Sequence, residues 1–169
     1  MSPVRTAISL GFLLFSAPAL AHVVADPNTA KNGAWFRTAL RITHGCDGSP
    51  TTSVAVMIPD DILIIKPQVK PGWNIKIEKK KLAAPANGPH GPISEVTTKI
   101  IWSGGNLQDA YFDEFGLSMK LPEIGTAVYF PVIQKCARGE HRWEQIAEPH
   151  SHGGHSDHPA PSIILTPKE

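Results

Sequence analysis

The sequence predicts an all-β domain, an antiparallel β-sandwich or barrel. Three observations carry that expectation. Short apolar–polar alternations recur at steady spacing, each bounded by turn residues. No stretch long enough for a helix shows a 3.6-residue period. Proline and glycine, 16 and 14 of the 169 residues, punctuate the chain throughout.

The elements follow in order. Residues 35–44 alternate apolar and polar and read as a half-buried strand. Residues 53–58 follow, stopped by Pro59, and then 62–66 and 73–78. Between the last two, Lys66-Pro67-Gln68-Val69-Lys70-Pro71-Gly72 has turn chemistry. Residues 80–92 read as a polar connection bearing Pro and Gly. Residues 94–102 alternate again, and Ser103-Gly104-Gly105-Asn106 reads as a turn. Two strands are expected over 110–120 and 127–136. Ala137-Arg138-Gly139-Glu140 reads as a hairpin turn into 141–146. Residues 148–162 are of low complexity, and 163–166 form a last short strand.

The first 21 residues belong to another class. Arg5 supplies a positive start, residues 7–15 an apolar run, and Ala19-Leu20-Ala21 a small-x-small cleavage site. That is the pattern of an export signal. The apolar run is too short for a membrane span, which takes about 20 residues. Cleavage after Ala21 is expected, leaving residues 22–169 as a single domain in the periplasm, with no membrane span. Arg5 leaves with the signal, so a chain of net charge +1 becomes neutral. No basic excess is left to neutralise phosphates, which argues against nucleic acid as a partner.

Export exposes His22 as the first residue. A terminal His offers its α-amine and its imidazole Nδ1 to one ion, closing a chelate ring. The amine pKa of about 7.7–8.0 lets a strong Lewis acid displace its proton near neutrality. Two nitrogen donors with open positions suit Cu(II), which tops the divalent affinity order. Further donors must come from neighbouring strands. Asp113 and Glu114 lie in a carboxylate-bearing strand and point to opposite faces; both could equally be solvated. His44 precedes a turn at Gly45-Cys46-Asp47-Gly48 and is a weaker candidate. Trp35, Trp73, Trp102 and Trp143 read first as core. Export into an oxidising compartment makes a disulfide the better reading of Cys46 and Cys136. Thiolate ligation of Cu(I) is the competing one.

Taken together, several segments resemble the YcnI-like copper-binding family of exported bacterial proteins. They are Ala21-His22-Val23, the run from Thr51 to Pro59, and Lys66-Pro67-Gln68-Val69-Lys70-Pro71-Gly72-Trp73. Ile101-Trp102-Ser103-Gly104-Gly105, Phe112-Asp113-Glu114-Phe115 and Tyr129-Phe130-Pro131-Val132 follow, then Arg142-Trp143-Glu144 and Pro159-Ala160-Pro161. The resemblance spans residues 22–166. It implies an immunoglobulin- or fibronectin III-like sandwich and a Cu(II) site of the kind called a monohistidine brace. Matched residue by residue, it assigns the chelating His to His22, the carboxylate to Glu114 and the tryptophan beside the metal to Trp143. Asp113 is the reserve carboxylate, since a slip of one residue exchanges faces.

The chain departs from the family in its His-rich insert, where His150, His152, His155 and His158 sit among Gly and Ser. Short His-rich tracts bind metals by composition, here weakly and promiscuously, because a flexible segment must order to bind. The same tract could be no more than a solvated loop. The expected function is therefore a periplasmic Cu(II) chaperone, buffer or delivery factor, and not an enzyme. A membrane copper transporter or another periplasmic copper chaperone is the expected partner class. The rival readings are a copper oxidoreductase and a non-catalytic module docking on a copper transporter.

Overall fold

The computed structural model describes residues 22–146 and 158–168. Every regular element among them is a strand. In chain order these are β1 (Val24–Asp26), β2 (Thr29–Lys31), β3 (Trp35–Ile42), β4 (Thr51–Met57), β5 (Ile64–Pro67) and β6 (Asn74–Gly88). Then come β7 (Gly91–Leu107), β8 (Asp113–Lys120), β9 (Ala127–Tyr129), β10 (Val132–Cys136), β11 (Glu140–Trp143) and β12 (Ser162–Thr166).

Two sheets form the sandwich. One runs β1-β3-β8-β5 and the other β11-β10-β4-β7-β6; a small third sheet, β2-β12-β9, accompanies them. Strand alternation fills the space between the two large sheets. Leu40 and Ile42 of β3 and Phe115, Leu117 and Met119 of β8 come from the first sheet. Val54 and Val56 of β4, Ile100 and Trp102 of β7 and Val132 of β10 come from the second. All are buried. Trp102 and Trp73 meet Phe115 edge to face, with ring centres 5.4 and 4.9 Å apart.

Several local expectations are corrected. Residues 80–92 are not a polar connection: β6 and β7 continue as one long hairpin that turns at Pro89-His90, with Gly88 opposite Gly91. Ser103-Gly104-Gly105-Asn106 is not a turn either, but lies within β7. Its glycines serve other ends. Gly104 has φ +82°, and Gly105 makes room for Trp73, whose ring atoms a Cβ would meet at 2.1 Å. Strand 127–136 is divided at Phe130-Pro131, where the chain leaves β12 for β4. The eighth strand starts at Asp113 rather than 110, and β11 ends at Trp143 rather than 146. The pairing of β12 with β2 is parallel, where an antiparallel fold was expected throughout.

Topology decides where chemistry can gather. Strand β1 is the edge of the first sheet and β11 the edge of the second. Both edges close the same side of the sandwich, so the residue before β1 meets the end of β11. The opposite side, between β5 and the β6–β7 hairpin, holds an apolar groove of about 670 Å³ lined by Ile65, Ile75, Ile77 and Ile93.

Candidate metal site at the sandwich edge

Trp143 is 3% exposed. On β11 its neighbours alternate: Arg142 points outward to Glu140 and Glu144, while His141 and Trp143 share the inward face. The indole N–H donates to Gln134 Oε1 at 3.1 Å. Gln134 is fully buried on β10 and spends its Nε2 on the His44 carbonyl at 2.7 Å and on Thr51 Oγ1 at 2.8 Å. One amide therefore fixes both the tryptophan and the loop that carries His44.

That loop is held from two further directions. Cys46 and Cys136 are joined in a disulfide, 90 residues apart in sequence. The Gly45 N–H donates to Asp109 Oδ1 at 2.8 Å. A Cβ on Gly45 would meet the Ser49 carbonyl at 1.9 Å, so the turn needs glycine. The His44 ring lies with Nδ1 2.5 Å from the Gly45 carbonyl. A proton on Nδ1 would leave Nε2 as the ring's acceptor and ligand atom.

Four of the eight histidines surround Trp143. Ring centres of His22, His44, His141 and His158 stand 5.9, 6.0, 5.5 and 5.1 Å from it. His44 and His141 are 5.8 Å apart, and His141 and His158 stack at 5.7 Å. The four imidazoles thus gather around one indole. His22 Nε2 and His158 Nδ1 are buried without a hydrogen-bond partner. His141 titrates below its ordinary value, first because burial disfavours the charged ring and then because His44 and His158 are close. Its neutral, ligand-ready form is favoured. Among the described residues no three His, Cys, Asp or Glu side chains converge to hold one ion, so the cluster is not a closed cage.

The structure brings together His22 and Trp143, and with them His158. It does not bring Asp113 or Glu114 to them. Val24 of β1 faces Arg41 of β3, and Arg41 faces Glu114 of β8. Glu114 is thus two strands, about 10 Å, away from the β1 backbone. Its carboxylate takes the Arg41 guanidinium at 3.3 Å, and Arg41 also pairs with Asp26. Asp113 occupies the other face of β8 and pairs with Lys70 at 2.6 Å. Residues 1–21 and His150, His152 and His155 lie outside the described residues.

From the sequence His44 is only a weaker candidate, and His141 has no role. The signal that could have found both was present. Cys46 and Cys136, once paired, tie His44 to the end of β10, and the hairpin at Ala137–Glu140 folds His141 back beside it.

Fold and site together define an immunoglobulin-like β-sandwich that gathers imidazoles over a buried tryptophan at its N-terminal edge. Residues 22–165 match the family described as a domain of unknown function, DUF1775, and the chain belongs to that family. The YcnI-like resemblance read from the sequence is borne out. Over 119 residues the chain is 25% identical to the copper-binding protein CutI of Bacillus subtilis (strain 168), covering 69% of this chain and 52% of that protein. It thus spans about half the length of that relative. It also resembles an uncharacterized protein from Nocardia farcinica whose crystal structure shows an immunoglobulin-like fold. The TM-score is 0.66 at 23% identity, with 87% of this chain and 99% of that chain covered.

Proposed function

We propose that the mature chain begins at His22 and binds Cu(II) there, as an exported copper carrier and not as an enzyme. The observation that carries this reading is the His22 ring set edge-on to buried Trp143, at the one place where cleavage after Ala21 would free an α-amine. The amine and Nδ1 of His22 form the chelate, and Trp143 walls the ion on its inner side. The similarity to a copper-binding protein supports the choice of metal, and so does the donor set, nitrogen-rich with open positions.

The third donor in this reading is His44 rather than Glu114. Continued by two residues, the β1–β3 register puts His22 opposite Thr43, next to His44. Glu114 would have to give up Arg41 and cross a strand. The Cys46–Cys136 bond fits an oxidising compartment, and the periplasm is the location proposed. The partner class is a membrane copper transporter or another periplasmic copper chaperone, reached at the open edge where His22 lies.

The mature chain should take up one tight equivalent of Cu(II) and show no substrate-linked turnover with reductant and oxygen or peroxide. Turnover would favour the oxidoreductase. Failure to take up stoichiometric copper would leave only a docking module.

A further inference from the structure

We infer that His141 and His158 form a second metal-binding pair, beside the same Trp143 that His22 meets, for a first-row ion that takes imidazole nitrogen, copper or Zn(II). Three observations carry it.

The first is spacing. With nitrogen–metal bonds of about 2 Å an ion lies about 3.2 Å from each ring centre, so two imidazoles on one tetrahedral ion have centres about 5.2 Å apart. His141 and His158 stand at 5.7 Å. The rings now stack with 29° between their planes, so binding takes a rotation of both side chains that turns one nitrogen of each toward the ion, together with a closure of about half an ångström.

The second is an unused donor. His158 Nδ1 is buried and has no hydrogen-bond partner. A buried polar nitrogen without a partner costs free energy, and a metal ion would satisfy it. The third is anchoring. His141 sits opposite Gln134 in the β10–β11 ladder. The His158 backbone is held by Gln145, whose Oε1 accepts the His158 N–H at 3.2 Å and whose own N–H donates to the His158 carbonyl at 3.1 Å. Both rings therefore project from fixed backbone, and only the side chains are left for the ion to order.

The two pairs share one wall, the indole of Trp143, at 5.5 and 5.1 Å from His141 and His158. His44 and His141, 5.8 Å apart, join them. The second pair needs no free N-terminus, which separates its fate from that of the His22 chelate.

The test counts metal equivalents by equilibrium dialysis against Cu(II), and separately against Zn(II). It uses the full mature chain with His150, His152 and His155 replaced by Ala, so that those three imidazoles contribute nothing. Two equivalents of Cu(II) are expected. Retaining Ala21 should leave one. His141→Asn with His158→Asn should also leave one, and should remove the Zn(II) equivalent that persists when Ala21 is retained. If the double substitution unfolds the chain by circular dichroism, His158→Asn alone should remove the second equivalent. Two equivalents after loss of both rings would overturn the second site. So would a single equivalent that vanishes with either change, since that is one shared ion. An equivalent lost with the two rings while Ala21 retention changes nothing would uphold this pair and sink the His22 reading instead.

Discussion

Gln134 accepts the Trp143 indole N–H at 3.1 Å from one end of its amide and holds the His44 carbonyl from the other, all within a fully buried position. A buried amide with every group engaged is a positioning device, because each partner is left with an unmet hydrogen bond if it goes. Gln134→Leu should therefore destabilise the fold by about 3 kcal/mol, the cost of orphaning buried donors and acceptors. It should also weaken copper, because His44 and Trp143 lose their shared anchor. Urea unfolding and copper competition check the two effects. Unchanged copper affinity in a folded Gln134→Leu protein would restrict the residue to stability.

Reduction of the Cys46–Cys136 bond opens a loop of 90 residues. The chain-entropy model puts its contribution at about 4–5 kcal/mol. The reduced protein should unfold at markedly lower denaturant, and its His44 loop should exchange amide hydrogens faster than β3 or β8. Equal midpoints with and without reductant would show that the covalent link is idle.

Acid should destabilise the metal-free protein through His141. Its folded pKa lies below the ordinary value near 6.5, so the folded chain binds the proton less readily than the unfolded one. The contribution is present in full above that ordinary value. It is lost as pH falls from there through the lowered folded value. His141→Gln should flatten this part of the stability profile, measured by denaturant midpoints from pH 7.5 downward in the presence of chelator. An unaltered slope would assign the acid sensitivity to other groups.

Glu114→Gln distinguishes the carboxylate expectation from the imidazole one. With Glu114 committed to Arg41, copper affinity should change by less than about twofold, whereas His44→Ala should weaken it at least tenfold, about 1.4 kcal/mol. Competition titration against a chelator of known affinity reads both. The opposite ranking would restore Glu114 as the third donor.

How much of this was legible in the chain depends on range. Period-two alternation located β3, β4, β7 and β8, because half-buried strands write their two faces into adjacent residues. It misplaced Gly104 and Gly105, since glycine marks a bulge and a close approach to Trp73 as readily as a turn. It passed over β1 and β2, three residues each, too short to show a period. The pairing of His22 with Trp143 followed from a family pattern and not from spacing. Glu114 shows the limit of local reading. Alternation says correctly that it and Asp113 take opposite faces, but which strand stands beside β1 is a matter of topology. The intervening strand is β3, and Arg41 on it claims the carboxylate. His141 and His158 come together only through the β10–β11 hairpin and the Gln145–Pro159 bridge, contacts that no single segment encodes.

The central claim is that the copper chelate begins at His22. The direct test is Cu(II) electron paramagnetic resonance with competition titration on two samples, the mature chain starting at His22 and the same chain with Ala21 retained. Retention ties the amine nitrogen into a peptide bond while leaving the imidazole, Trp143 and the fold in place. The chelate is then lost, and with it the advantage of two nitrogens ordered at one cost. The account predicts a changed spectrum and an affinity lower by several orders of magnitude in the Ala21 sample. Identical spectra and identical affinity in the two samples would contradict it.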